Sequence, residues 1–117
     1  MKIGNIERGN VVIVNFEPVR GSEQGGIRPA VIVQNDISNK YSSTTIIVPF
    51  TSKKQTKTYV TNVPILAGES GLKKDSLILC NQIKTIDKSR IIKKIGNLDR
   101  DIMKQVDMAI KVSLDLN

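Results

Sequence analysis

Three short stretches of the chain carry residue types that can handle a phosphodiester. The first is the glycine-rich run Gly21-Ser22-Glu23-Gln24-Gly25-Gly26-Ile27-Arg28-Pro29. Its adjacent glycines, Gly25 and Gly26, let the main chain approach a ligand closely. Arg28 stands where this loop meets a strand, and Pro29 fixes the entry into that strand. A guanidinium there can grip a phosphate in a bidentate fork and match charge that grows in a transition state. The run is not a nucleotide-binding glycine loop, because it joins strand to strand and lacks Gly-Lys-Ser/Thr. The second stretch is Pro49-Phe50-Thr51-Ser52-Lys53-Lys54. The hydroxyls of Thr51 and Ser52 can hold phosphate oxygens, and Lys53 and Lys54 can hold neighbouring phosphates. The third is Asn81-Gln82, two adjacent amides able to read base edges. Taken singly, each has a plainer reading: a solvated hairpin arginine, a turn whose hydroxyls bond their own backbone, and amides spent on a ladder or core.

Composition narrows the chemistry. The chain has 117 residues and a formal charge of +7, with no histidine and one cysteine, Cys80. The charge favours a polyanionic partner, because each lysine or arginine set against a phosphate releases counterions. A zinc site and a histidine-based acid–base mechanism are excluded by the residue inventory. No cofactor is expected. Cys80 lies in an apolar run and reads as a small buried hydrophobe. The N-terminus has no secretory h-region and no run is long enough to span a bilayer, so no membrane association is expected and the expected location is the cytoplasm.

The elements that must position these groups follow from the hydrophobic pattern. Strands are expected at 10–17, 29–36, 44–50, 59–66 and 76–84, with residues 19–27 as a long loop and 38–43 as turn chemistry. Pro49 is expected at a strand edge or end. Asp87 is expected to cap a helix through Asn97, with Ile91, Ile92 and Ile95 on its apolar side and Gly96 at its stop. A second helix is expected over 99–116, with Ile102, Met103, Val106, Ile110 and Leu114 inward and Arg100, Lys104, Asp107 and Lys111 outward. The whole is a single domain, 1–117, with strands over about 9–84 and helices over about 87–116. Its class is mainly β with a C-terminal helix, an α+β arrangement built on a small antiparallel barrel or twisted sheet.

The run Arg8-Gly9-Asn10-Val11, the glycine-rich stretch, Gln34-Asn35-Asp36, Pro49-Phe50-Thr51-Ser52 and Gln82-Ile83-Lys84-Thr85-Ile86-Asp87-Lys88 occur in one order. Together they resemble the MazF/PemK family of toxin endoribonucleases, over nearly the whole span from Arg8 to Leu114. The resemblance implies an SH3-like antiparallel barrel of the MazF/PemK/CcdB type, each copy with a C-terminal helix, assembled as a homodimer. It implies metal-independent, sequence-specific cleavage of single-stranded RNA, chiefly mRNA, by attack of the 2′-hydroxyl, leaving a 2′,3′-cyclic phosphate and a 5′-hydroxyl. It implies a cognate antitoxin that lays an extended segment over the RNA groove. Arg28 and Thr51 fall at the family's catalytic positions. Gln24, Gly25, Gly26, Pro29, Asn35, Ser52, Lys53, Asn81 and Gln82 fall to substrate binding. Many members carry an acidic residue where this chain has Asn81, which cannot accept a proton, so the base that takes the 2′-hydroxyl proton has no assigned residue.

Two other functions fit the same fold. One is a gyrase-poisoning toxin, which acts through a C-terminal tail typically bearing Trp. This chain has no Trp and ends Ser113-Leu114-Asp115-Leu116-Asn117. The other is a non-catalytic RNA-binding barrel, which would stack bases on aromatic residues. Only Phe16, Tyr41, Phe50 and Tyr59 are available for that.

Overall fold

The computed structural model describes residues 4–18, 21, 25–52 and 59–117. Its frame is an antiparallel sheet of β1 (Asn10–Asn15), β2 (Ile27–Ile32), β3 (Thr44–Thr51), β4 (Asn62–Ile65), β5 (Ser76–Leu79), β6 (Lys84–Asp87) and β7 (Ile91–Asn97). The strand order is β4-β5-β3-β2-β1-β7, with β6 paired to β3 off that path. Helix α1 (Asp36–Tyr41) links β2 to β3, and α2 (Arg100–Ser113) follows β7. Single 3-10 turns lie at Glu69–Gly71 and Lys88–Arg90. The antiparallel sheet with its C-terminal helix is the expected fold class, although the ladder does not run fully round to close a barrel.

β1 is apolar at nearly every position because both its faces are covered. Val11 packs with Val31, Val48, Phe50 and the α2 residues Met103, Val106 and Ala109. Val12 and Val14 face a second cluster with Ala30, Ile32, Ile47 and Ile91. The period-2 alternation of side chains thus feeds two cores instead of one core and solvent. Helix α2 is capped by Asp99, whose carboxylate accepts from the Ile102 N–H at 2.8 Å. Leu114 lies past its last turn and is exposed. Asp107 was expected outward; it is half-buried and forms an ion pair with Arg8. Arg8 Nε also donates to the Val33 carbonyl at 3.1 Å, and its main-chain N–H to Asp36 at 2.7 Å. One arginine therefore ties α2 and α1 to the end of β2.

Three expected elements are corrected. The expected strand 76–84 is two strands. β5 pairs Thr51 with Leu77 and Phe50 with Ile78, whereas β6 pairs Ile47 with Lys84. The partner numbers sum to 128 and then to 131, so three extra residues are looped out along one edge of β3. The turn falls at Cys80-Asn81, closed by the Gln82 N–H donating to the Leu79 carbonyl at 3.0 Å. Asparagine favours such a turn, and apolar periodicity alone does not register it.

The expected helix 87–97 is a strand. Asp87 does cap, accepting from the Ser89 N–H at 2.8 Å, but only for one 3-10 turn. Ile91 is already extended, and the β-branched run that follows joins the ladder of β1. Ladder pairing and β-branched stiffness override the helical spacing of Ile91, Ile92 and Ile95. The strand-containing part of the chain therefore extends to Asn97, and the helical C-terminal part begins only at Arg100.

Residues 38–43 are mostly helix, not turn: Asn35 caps α1 by accepting from the Ser38 N–H at 2.8 Å. The side chains that favour turns are the same ones that cap helices. Pro49, placed near the end of β3 as expected, is buried and opposes Ala30.

Candidate active site

Antiparallel register sets the site. β2 and β3 pair Ala30 with Pro49, Val31 with Val48 and Ile32 with Ile47, a constant sum of 79. Carried two residues on, the same sum places Arg28 opposite Thr51, where the two strands reach the end of their pairing. Arg28 is half-buried. Its Nε donates to the Gly25 carbonyl at 2.7 Å and its Nη1 to the Phe50 carbonyl at 3.3 Å. Main-chain acceptors in the loop before β2 and on β3 hold the guanidinium in place, which lowers the entropy cost of presenting it.

The loop in front of it is shaped by Gly26. Its φ of +76 lies in the left-handed region, and a Cβ there would meet nothing within 4 Å. The glycine is required by conformation, not by crowding. Its N–H donates to the Glu17 carboxylate at 2.6 Å, and its carbonyl accepts from the Phe16 N–H at 2.9 Å. Gln24 and Lys53 lie outside the described residues.

A cleft of about 450 Å³ opens beside Arg28. Pro29 and Ser52 line it, together with Ile13 of β1 and Ile95 of β7. Thr51 does not; its side chain is 3% exposed, whereas Ser52 is exposed. Asn81 and Gln82 occupy the β5–β6 turn, across β3 from Arg28's strand, with Asn81 exposed and Gln82 half-buried. Asn35 is not brought to the site. It lies beyond the opposite end of β2 and is committed to capping α1. Its neighbours are committed as well: Gln34 donates to Asn39 Oδ1 at 3.0 Å, and Asp36 accepts from Arg8 and Asn39. The Gln34-Asn35-Asp36 motif builds the fold.

Three cations of the cleft escape sequence reasoning: Lys73 and Lys74 before β5, and Lys93 on β7. In the sequence they fall in the doublets Lys73-Lys74 and Lys93-Lys94, the second within the expected helix 87–97 that is a strand. With Arg28 these make four cations, and no carboxylate lines the cleft among the described residues. The thiol of Cys80 is removed from chemistry. Burial first, and the charge of Asp107 second, push it up to about 12.

An open antiparallel sheet carrying an arginine, hydroxyls and lysines about one cleft defines a small β-protein with a cationic cleft. The matching family model is that of the PemK-like, MazF-like toxins of type II toxin–antitoxin systems, over residues 7–114. The chain belongs to this family. It is 45% identical over 111 residues to the endoribonuclease EndoA of Bacillus subtilis (strain 168), covering 95% of this chain and 96% of that one. The fold superposes on MazF from Deinococcus radiodurans with a TM-score of 0.82 at 26% identity, covering 95% and 97% of the two chains. It superposes on the Mycobacterium tuberculosis toxin MazF-mt6 with a TM-score of 0.78 at 20% identity, covering 92% and 98%. Among the described residues, no helix is long and apolar enough to cross a membrane.

Proposed function

We propose that this toxin endoribonuclease cuts single-stranded RNA, mRNA foremost, at specific sequences and without a metal ion. The 2′-oxygen attacks phosphorus, the bond to the 5′-oxygen breaks, and the products are a 2′,3′-cyclic phosphate and a 5′-hydroxyl. Arg28 stabilises the charge that accumulates on the phosphorane oxygens and hydrogen-bonds the leaving 5′-oxygen. A guanidinium carries donors and no acceptor, which makes it a poor base. Thr51 holds a non-bridging oxygen from the strand end opposite Arg28, with Ser52 as the more exposed hydroxyl beside it. Gly25, Gly26 and Pro29 shape the approach, and Asn81 and Gln82 contact the RNA from the other side of β3. The residue inventory supports metal independence against zinc, since a chain with no histidine and one cysteine lacks the nitrogen and sulfur ligands such a site uses.

The observation that carries the reading is the β2–β3 pairing of Ala30 with Pro49, which continued two residues sets Arg28 against Thr51, beside a cleft lined by cations. The toxin acts in the cytoplasm as a homodimer, and its antitoxin covers the groove with an extended segment. A mycobacterial endoribonuclease solved with its cognate antitoxin shares the fold, with a TM-score of 0.77.

The purified protein is expected to cut a mixed-sequence RNA in EDTA and to leave cyclic-phosphate ends. Arg28→Ala is expected to lower kcat by about 100-fold to 1,000-fold, the cost of removing one preorganised donor. An active Arg28→Ala protein, or an absolute requirement for added metal, would overturn the proposal.

A further inference from the structure

The two ends of the glycine-rich loop are tied together where β1 and β2 part. Their ladder runs from Val11–Val31 to Asn15–Ile27 at a constant sum of 42. One step on, the Phe16 N–H still donates to the Gly26 carbonyl at 2.9 Å. In a hydrogen-bonded antiparallel pair the Gly26 N–H would return that bond to the Phe16 carbonyl. Instead Gly26 turns out of the ladder with its φ of +76, and its N–H donates to the Glu17 carboxylate at 2.6 Å. That N–H belongs to the same trans peptide unit as the Gly25 carbonyl, which accepts from Arg28 Nε at 2.7 Å. A trans peptide is rigid and planar, and its N–H and C=O point in opposite directions. A carboxylate that fixes one end of the unit therefore fixes the other, and it polarises the carbonyl into a better acceptor. Glu17 is exposed, but its main chain is held on both sides. Its N–H donates to Asn15 Oδ1 at 3.0 Å, and its carbonyl accepts from Arg90 Nη1 at 2.6 Å. The same Nη1 donates to the Asn15 carbonyl at 3.1 Å. Arg90 lies in the 3-10 turn between β6 and β7, so a side chain from a distant connection secures the base of the loop.

We propose, on the endoribonuclease reading, that Glu17 is a positioning residue for RNA cleavage: it acts on Arg28 through the Gly25–Gly26 peptide, and Arg90 holds it in place. Glu17 touches neither phosphate nor sugar in this role. It sets the plane of the guanidinium, whose Nε is held by the Gly25 carbonyl and whose Nη1 donates to the Phe50 carbonyl at 3.3 Å. Two anchored nitrogens fix the orientation of a planar group. Orientation is what a group that stabilises a phosphorane must have before the charge appears. An arginine left to find that orientation during the reaction stabilises the transition state less, while the bound substrate keeps its other contacts. The role of Glu17 is thus felt in kcat and not in KM.

The test pairs kinetics with a signal from Arg28 itself. In the full-length toxin without RNA, hydrogen exchange of the Arg28 Nε–H is followed in nitrogen-15 spectra. In parallel, kcat and KM are measured on an RNA with a mapped cleavage site. Glu17→Ala is expected to speed the exchange about tenfold, the size of one lost net hydrogen bond. It is expected to lower kcat about tenfold and leave KM within about twofold, the pattern of an interaction expressed in the transition state. Glu17→Gln keeps an acceptor oxygen and is expected to stay within about threefold of wild type in both readouts. Glu7→Ala removes an exposed carboxylate at the other end of β1 and is expected to change neither. Unchanged Nε–H exchange in Glu17→Ala would overturn the proposal, as would an unchanged kcat or a loss carried by KM alone. A Glu17→Gln protein as slow as Glu17→Ala would overturn it too, since that result marks a proton acceptor and not a brace. A wild type that never cuts RNA would instead refute the endoribonuclease reading, while the Arg28 exchange would still decide whether Glu17 holds the arginine.

Discussion

Arg28 and Cys80 show how environment divides two reactive residue types. Main-chain carbonyls of Gly25 and Phe50 fix Arg28 at an open strand end, where its charge can meet substrate. Cys80, in the turn after β5, is fully buried against the α2 core. Desolvation of its thiolate raises the thiol from 9.0 to about 12. Reaction with a disulfide reagent at pH 8 is therefore expected to run about a thousandfold slower in the native protein than in the unfolded chain, tenfold per pH unit of thiolate depletion. Comparable rates in buffer and in denaturant would show an exposed thiol. Placement was legible where residues lay inside an ordered motif: Arg28, Thr51 and Pro29, singled out from the sequence, lie at one end of β2 and β3. Asn35 was misassigned because a capping amide and a ligand-binding amide look alike in sequence. Lys73 and Lys74 share one segment before β5 and Lys93 lies on β7, so only the fold brings these three cations together.

At the scale of elements, α1 depends on a polar network instead of an apolar face. Asn39 is buried, accepts from Thr45 Oγ1 at 2.7 Å and donates to the Gln34 carbonyl at 2.9 Å. Asp36 opens the helix, and the Arg8 main-chain N–H first and the Asn39 amide second hold its carboxyl below the usual 3.8. A carboxyl depressed in the folded state stabilises it above the unfolded pKa, and that contribution is lost as pH falls through the folded value. The urea midpoint of the wild type is thus expected to fall as pH drops below 3.8, and Asp36→Asn is expected to flatten that part of the profile. Parallel profiles for the two proteins would remove Asp36 from the acid response. The group is exposed, so the effect is small. Element type was legible wherever periodicity and packing agreed, as in β1, β3 and α2. It failed at 91–97, where isoleucine spacing fitted a helix but the unpaired edge of β1 decided the outcome. It failed at 76–84 because three looped-out residues leave no mark on an apolar run.

Across the whole molecule, the sheet is left open between β4 and β7, and the gap is bridged by the turn at Glu69–Gly71 resting on β7. Ser70 Oγ donates to the Asn97 carbonyl, and the two backbones meet through glycines. A Cβ on Gly71 would clash with the Ile95 carbonyl, and a Cβ on Gly96 with that of Ser70. Gly71 also has a φ of +83, so it is glycine on two counts, whereas Gly96 is glycine for space alone. Neither obstacle is a flexible side chain, so a methyl group there forces the backbones apart. Gly96→Ala is expected to lower the unfolding free energy by about 1–3 kcal/mol, an overpacking cost. The readout is the urea midpoint at constant m-value. Gly4→Ala, where a Cβ meets nothing within 4 Å, is the neutral control. The same contact carries Leu72, Lys73 and Lys74 to the cleft, so Gly96→Ala should also weaken RNA binding under conditions where it remains folded. A variant that keeps both its midpoint and its affinity would show that the molecule does not depend on this closure.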